Sequence, residues 1–130
     1  MSYSNPQTCC YNFANMDFGA AAGATTHRIA GPKGKKGRLI EVGVCVSEAT
    51  VFATTLGIVE VGNASDSDAY AKLNIATATA LNATFNSDDD TDAILSADIP
   101  ADTTLLVKLT EGTGAGLAGQ GNPYVIIDWY

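Results

Sequence analysis

A chain of 130 residues, 46% hydrophobic and 16% charged, is the size of one domain, and folding at this length removes roughly two-thirds of the unfolded surface from water. No run approaches the roughly 18 apolar residues of a membrane span, and the opening MSYSNPQTCCYNF lacks the charged-then-apolar order of an export signal, so folding in a cytoplasm is expected. The net charge of −7 is split between +4 over residues 1–40 and −11 over residues 41–130; such an acidic body argues against general nucleic-acid or membrane binding but leaves a local basic loop free to meet an acidic partner.

In chain order, residues 1–22 mix Asn, Ser, Ala and Gly with Tyr11, Phe13, Met16 and Phe18 and match neither a helix stripe nor an alternating strand. They read as an N-terminal arm ahead of a domain spanning 23–130. Its aromatic residues must settle on their own domain or on a neighbour. Ala24 to Ala30 is strand-like, and Gly31-Pro-Lys-Gly-Lys-Lys-Gly37 is an exposed turn carrying Lys33, Lys35 and Lys36. In the next segment Ile40, Val42, Val44 and Val46 alternate, which predicts one buried face. Val51 to Val61 favours a strand with a break near Gly57, and Ala69 to Ala76 another. Thr77 to Phe85 is open between strand and short helix, with strand preferred. An acidic loop from Asn86 to Asp92 leads to Ile94–Ile99, and a turn at Pro100-Ala-Asp102 to an alternating run from Thr103 to Leu109. A Gly-rich loop, Gly112 to Gly121, precedes the closing strand from Tyr124 to Tyr130. In that strand Val125, Ile127 and Trp129 share the core face, while Tyr124, Ile126, Asp128 and Tyr130 share the other. Six to eight short strands without a long 3.6-residue period predict an all-β fold, an antiparallel β-sandwich with a jelly roll favoured, while spacing alone leaves a barrel or an immunoglobulin-like order open.

Chemistry-bearing motifs are weak. Gly114-Ala-Gly116-Leu-Ala-Gly119 spells GxGxxG but leads into a strand, where a pyrophosphate site needs a helix N-terminus. Asp88, Asp90 and Asp92 open like a calcium loop, but Ala93 replaces the turn glycine and Ile99 the bidentate glutamate. His27 is the single histidine, too few for a zinc site of several imidazoles and without a GxSxG elbow, and no aspartate pair is marked for glycoside hydrolysis. Cys9, Cys10 and Cys45 form neither a disulfide framework nor a CxxC pair. The sequons at Asn63 and Asn82 are expected to stay unmodified in a chain that is not exported. No catalytic residue, cofactor or metal ligand is therefore expected.

The irregular arm, the Gly/Ala/Thr-rich body, the segment Asp98-Ile-Pro-Ala-Asp-Thr-Thr-Leu-Leu-Val-Lys-Leu109, the Gly112–Gly121 loop and the closing strand together resemble the small decoration or cement proteins of tailed-phage capsids. The resemblance covers most of the chain from about residue 24 and rests on no invariant motif. It implies a viral structural protein without enzymatic activity. Such a protein sits on the outer surface of the virion, binds major capsid protein in the assembled shell, and often forms a trimer. Tyr11, Phe13 and Phe18 would then lie along a neighbouring subunit, and Lys33, Lys35 and Lys36 would meet an acidic capsid patch. A carbohydrate-binding or adhesion module on the same scaffold is the competing reading. It would use exposed aromatics such as Tyr124 and Tyr130.

Overall fold

The computed structural model describes residues 7–19 and 23–130. Ten strands form: β1 (Gln7–Asn12), β2 (Met16–Asp17), β3 (Ala24–Ala30), β4 (Gly37–Val51), β5 (Ile58–Gly62), β6 (Ala71–Asn74), β7 (Thr84–Asn86), β8 (Asp98–Ile99), β9 (Thr104–Thr110) and β10 (Ala118–Trp129). Every pairing is antiparallel. One sheet has the order β1-β10-β4-β7, with β2 also on β10 and β8 also on β4; the other has the order β3-β9-β5-β6. The two sheets pack as a β-sandwich, because each strand has one apolar face and burial requires those faces to meet.

The core between the sheets is a single cluster. Leu39, Val42, Val44, Val46, Val125, Ile127 and Trp129 come from one sheet, and Ile29, Val59, Val61, Leu73, Leu105, Val107 and Leu109 from the other. The long β4–β10 ladder is its spine, and three register shifts interrupt it. The shift between Ile126 and Ile127 leaves Ile40 as an extra residue on β4, since Ile126 pairs with Glu41 and Ile127 with Leu39. A bulge reverses which side chains face inward. Ile40, read from its spacing as a core residue, is accordingly 44% exposed, and Leu39 takes its place at 2%.

Three other boundaries also depart from the sequence reading. The break expected near Gly57 in the Val51–Val61 run is present but wider, since β4 ends at Val51 and β5 begins only at Ile58. Thr77 to Phe85 is mostly turn, contributing only β7 at its end. The Thr50 hydroxyl holds this turn, donating to the Ala76 carbonyl at 2.7 Å and accepting from the Thr79 N–H at 2.9 Å. Buried polar groups need such partners, and here the pairing replaces a ladder. The Gly-rich loop is shorter than expected, because Ala118 to Gly121 already belongs to β10. Residues 7–19, within the segment read as an arm, include β1, whose ladder with β10 runs from Gln7↔Trp129 to Asn12↔Tyr124.

Candidate functional site

The basic loop between β3 and β4 is anchored by its glycines and its backbone. Gly31 and Gly37 lie against the Trp129 ring, where a Cβ would come within 2.4 and 2.8 Å of ring carbons. Gly34 has a φ of +76°, which L side chains rarely adopt, and its N–H donates to Asp102 Oδ1 at 2.7 Å. Lys36 and Tyr130 exchange two backbone hydrogen bonds of 2.9 Å. This frame leaves Lys33 and Lys36 exposed and Lys35 half-buried. Beside it lies a shallow groove lined by Lys36, Arg38, Asp98, Ile99, Pro100 and Tyr130. Four of the seven basic residues of the chain, Lys33, Lys35, Lys36 and Arg38, therefore stand at one end of an acidic sandwich.

The aromatic residues expected to contact a partner occupy three different environments. Tyr11 is half-buried on β1, and its hydroxyl accepts a hydrogen bond from Trp129 Nε1 at 2.9 Å; burial raises its pKa above the ordinary tyrosine value. Phe13 is also half-buried and stacks on His27 with ring centroids 4.9 Å apart. Phe18 is 1% exposed and belongs to the core, so it has no face to offer a neighbour. The six expected contact residues do not converge. Phe18 N–H bonds the Gly119 carbonyl, whereas Lys36 bonds Tyr130; the intervening length of β10 is roughly 35 Å at about 3.4 Å per residue.

The two ends of the sandwich differ in chemistry, a contrast the linear sequence hides. Loops 52–57, 75–83 and 111–117 meet at one end through the Thr55↔Thr113 bridge and the bond from Phe52 N–H to Thr77 Oγ1. Their single charged residue is Glu111. The opposite end gathers the basic loop, loop 63–70 and segment 87–103, with Asp66, Asp68, Asp88, Asp89, Asp90, Asp92, Asp98 and Asp102. Alternating segments of the chain go to alternate ends, so the segregation appears only once the topology is known.

The remaining motifs take structural roles. Asp90 Oδ2 accepts from Asn74 N–H at 3.0 Å and Asp89 Oδ2 from Asn86 N–H at 2.9 Å, tying the acidic loop to β6 and β7. Among the described residues no group of three or more His, Cys, Asp or Glu side chains is placed to hold a metal ion. His27 shares a small depression with Asp17 and Glu111; Asp17 accepts from Gly19 N–H and Glu111 from Gly23 N–H. The GxGxxG run leads into β10, as its position before a strand required. All three cysteines are free. No helix among the described residues is long and apolar enough to cross a membrane.

Tyr124 is on the outer face of its sheet, as its position in the strand indicated, yet it is only 8% exposed. Its directly paired residue is Gly43, where a Cβ would come within 2.4 Å of Tyr124 Cζ, so the ring lies flat over the glycine backbone. Its hydroxyl donates to Glu41 Oε2 at 2.5 Å. Burial, and then the Glu41 carboxylate, raise the Tyr124 pKa far above the ordinary value of 10.0. A pKa raised by folding contributes stability that is fully present below the unfolded value and is lost as pH rises through the folded one. Urea unfolding at pH 8 and pH 11 should therefore show a smaller alkaline loss for Tyr124→Phe than for the unsubstituted protein; equal losses would remove Tyr124 from the alkaline limb.

The geometry defines an all-β sandwich with a basic loop set among eight aspartates at one end, and at the other a set of loops whose single charged residue is Glu111, bordered by Asp17 and Glu48. Comparison with known proteins adds nothing to this: no family model matches the chain, and no match is found among curated proteins or solved structures.

Proposed function

We propose that the protein is a capsid decoration or cement protein, which binds the outside of an assembled viral shell through its basic loop and bridges neighbouring major capsid subunits. The observation that carries this reading is the anchored loop presenting Lys33, Lys35 and Lys36 beside Arg38 on a body of net charge −7. Charge of one sign gathered on a rigid loop steers association with an acidic partner and fixes its orientation. The strand orders 1-10-4-7 and 3-9-5-6 support it as well. Taking β1 with β2 and β7 with β8 as single positions leaves eight, an arrangement compatible with two Greek keys wound into a jelly roll, an architecture common among capsid and lectin domains. Binding the lattice and not its free subunits stabilises the shell by linkage, and many copies add their weak contacts. The role is structural and needs no catalytic group. The carbohydrate-binding alternative is less well supported, because Tyr124 is covered by its own sheet and leaves Tyr130, 41% exposed, as the single large aromatic on that surface among the described residues.

Reversing the loop charge in Lys33→Glu, Lys35→Glu and Lys36→Glu together tests the reading. Occupancy of assembled shells should fall at least tenfold at low salt while the circular dichroism spectrum is kept, and binding by the unsubstituted protein should weaken as salt is raised. Unchanged occupancy by the triple variant would refute the basic loop as the contact.

A further inference from the structure

The first sheet leaves β1 at its edge. Among the described residues β1 pairs only with β10, so one side of its backbone presents N–H and C=O groups without a ladder. Exposed edges invite pairing with another strand, and folded proteins blunt them with charge, proline, bulges, short length or a covering segment. The other edges use these devices. Residues 93–95 cover β6, through the Ala71↔Ile94 bridge and bonds from Lys72 N–H to the Ala93 carbonyl and Leu95 N–H to the Tyr70 carbonyl. β7 has three residues, and β3 carries the exposed Arg28. Among the described residues β1 has none of them. QTCCYN contains no charge and no proline, and its six-residue register with β10 has no shift, in contrast to the β4–β10 ladder.

We propose that β1 is a self-association edge, where the β1 strands of two copies pair antiparallel about a two-fold axis and join two sheets into one. Two chains of net charge −7 repel, and an uncharged strand is where they approach at least electrostatic cost. Residues directly opposite in an antiparallel pair lie on the same face. Cys9 and Tyr11 pack toward the core in each copy, while Thr8, Cys10 and Asn12 point outward. A continuous sheet therefore requires even-numbered residues to face even and odd to face odd. Within Gln7–Asn12 only two such two-fold registers pair five residues, and they place Cys9 opposite Cys9 or Cys10 opposite Cys10. Either way a cysteine sits on the axis. This interface is isologous and closes as a dimer, not as the trimer that the resemblance implies. It does not depend on shell binding.

Sedimentation equilibrium of the full chain under reductant, across a concentration series, tests this. The expected result is a species of twice the 13.4 kDa chain mass that reverts to single mass in Cys10→Lys with an unchanged circular dichroism spectrum, because the two added charges then lie directly opposite in one register and diagonally across the edge in the other. Cys10→Ser, which keeps the edge neutral, should retain the dimer. Diamide, which takes up the two thiol hydrogens as the S–S bond forms, should cross-link the dimer through Cys9 or Cys10 and leave Cys45 free. Single mass at every concentration, a threefold mass, a dimer indifferent to Cys10→Lys, or cross-linking through Cys45 alone would overturn the proposal.

Discussion

Trp129→Ala is expected to lower the stability of the sandwich by about 3–5 kcal/mol, the range for truncating a buried tryptophan, and so to remove roughly a fifth or more of the ~5–15 kcal/mol that a domain commonly has. The ring is 1% exposed at the end of β10. Two of its walls are the backbones of Gly31 and Gly37, which have no side chains that could turn into the void. The substitution also deprives the half-buried Tyr11 hydroxyl of its Nε1 donor. Because the same ring props the basic loop, the lysines lose their fixed frame together with the core. Urea unfolding measures the loss; Trp129→Phe, which keeps most of the volume, should cost far less. A loss under about 1 kcal/mol for Trp129→Ala would mean that the glycine-walled pocket collapses freely, against the tight packing described.

Phe18→Ala is expected to cost a similar 3–5 kcal/mol, and the effect should be on folding rather than on partner affinity. Phe18 is fixed by its N–H on the Gly119 carbonyl at 2.8 Å and by its own carbonyl, which accepts from Gly112 N–H at 3.0 Å. Its ring abuts Gly57, where a Cβ would come within 3.1 Å of Cδ1. The side chain therefore plugs the end of the core opposite the basic loop. Phe13→Ala should be milder, because Phe13 is half-buried and stacks on a strand-edge histidine. A Phe18→Ala protein as stable as its parent, but with weakened partner binding, would return Phe18 to the surface role first expected of it. Deleting residues 1–20 cannot separate these effects, since it removes β1 as well as Phe18.

The architecture was legible where alternation is undisturbed. Val42, Val44 and Val46, the Leu105-Val107-Leu109 run, and Val125, Ile127 and Trp129 all face the core as their two-residue period indicates. Ile40 misled because a bulge is a property of paired strands and leaves no mark in one of them. Thr77 to Phe85 misled because its Thr and Ala residues suit a strand, while the Thr50 hydroxyl, contributed from β4, decides the turn. Strand β1 was hidden for a related reason: QTCCYN is polar and short, and it is a strand because β10 offers it a straight ladder. The basic loop could be read from residues 31–37 alone. The opposite end could not, since its loops are separated in sequence by the acidic ones and are brought together only by the order of the strands.

The most direct test of the functional account is cosedimentation of the purified protein with assembled tailed-phage shells lacking it, and in parallel with a panel of insoluble polysaccharides. Saturable, salt-sensitive binding to shells with none to polysaccharides is the result the account predicts. Binding to a polysaccharide and not to shells would contradict it, and would direct attention to Tyr130 and the groove beside it.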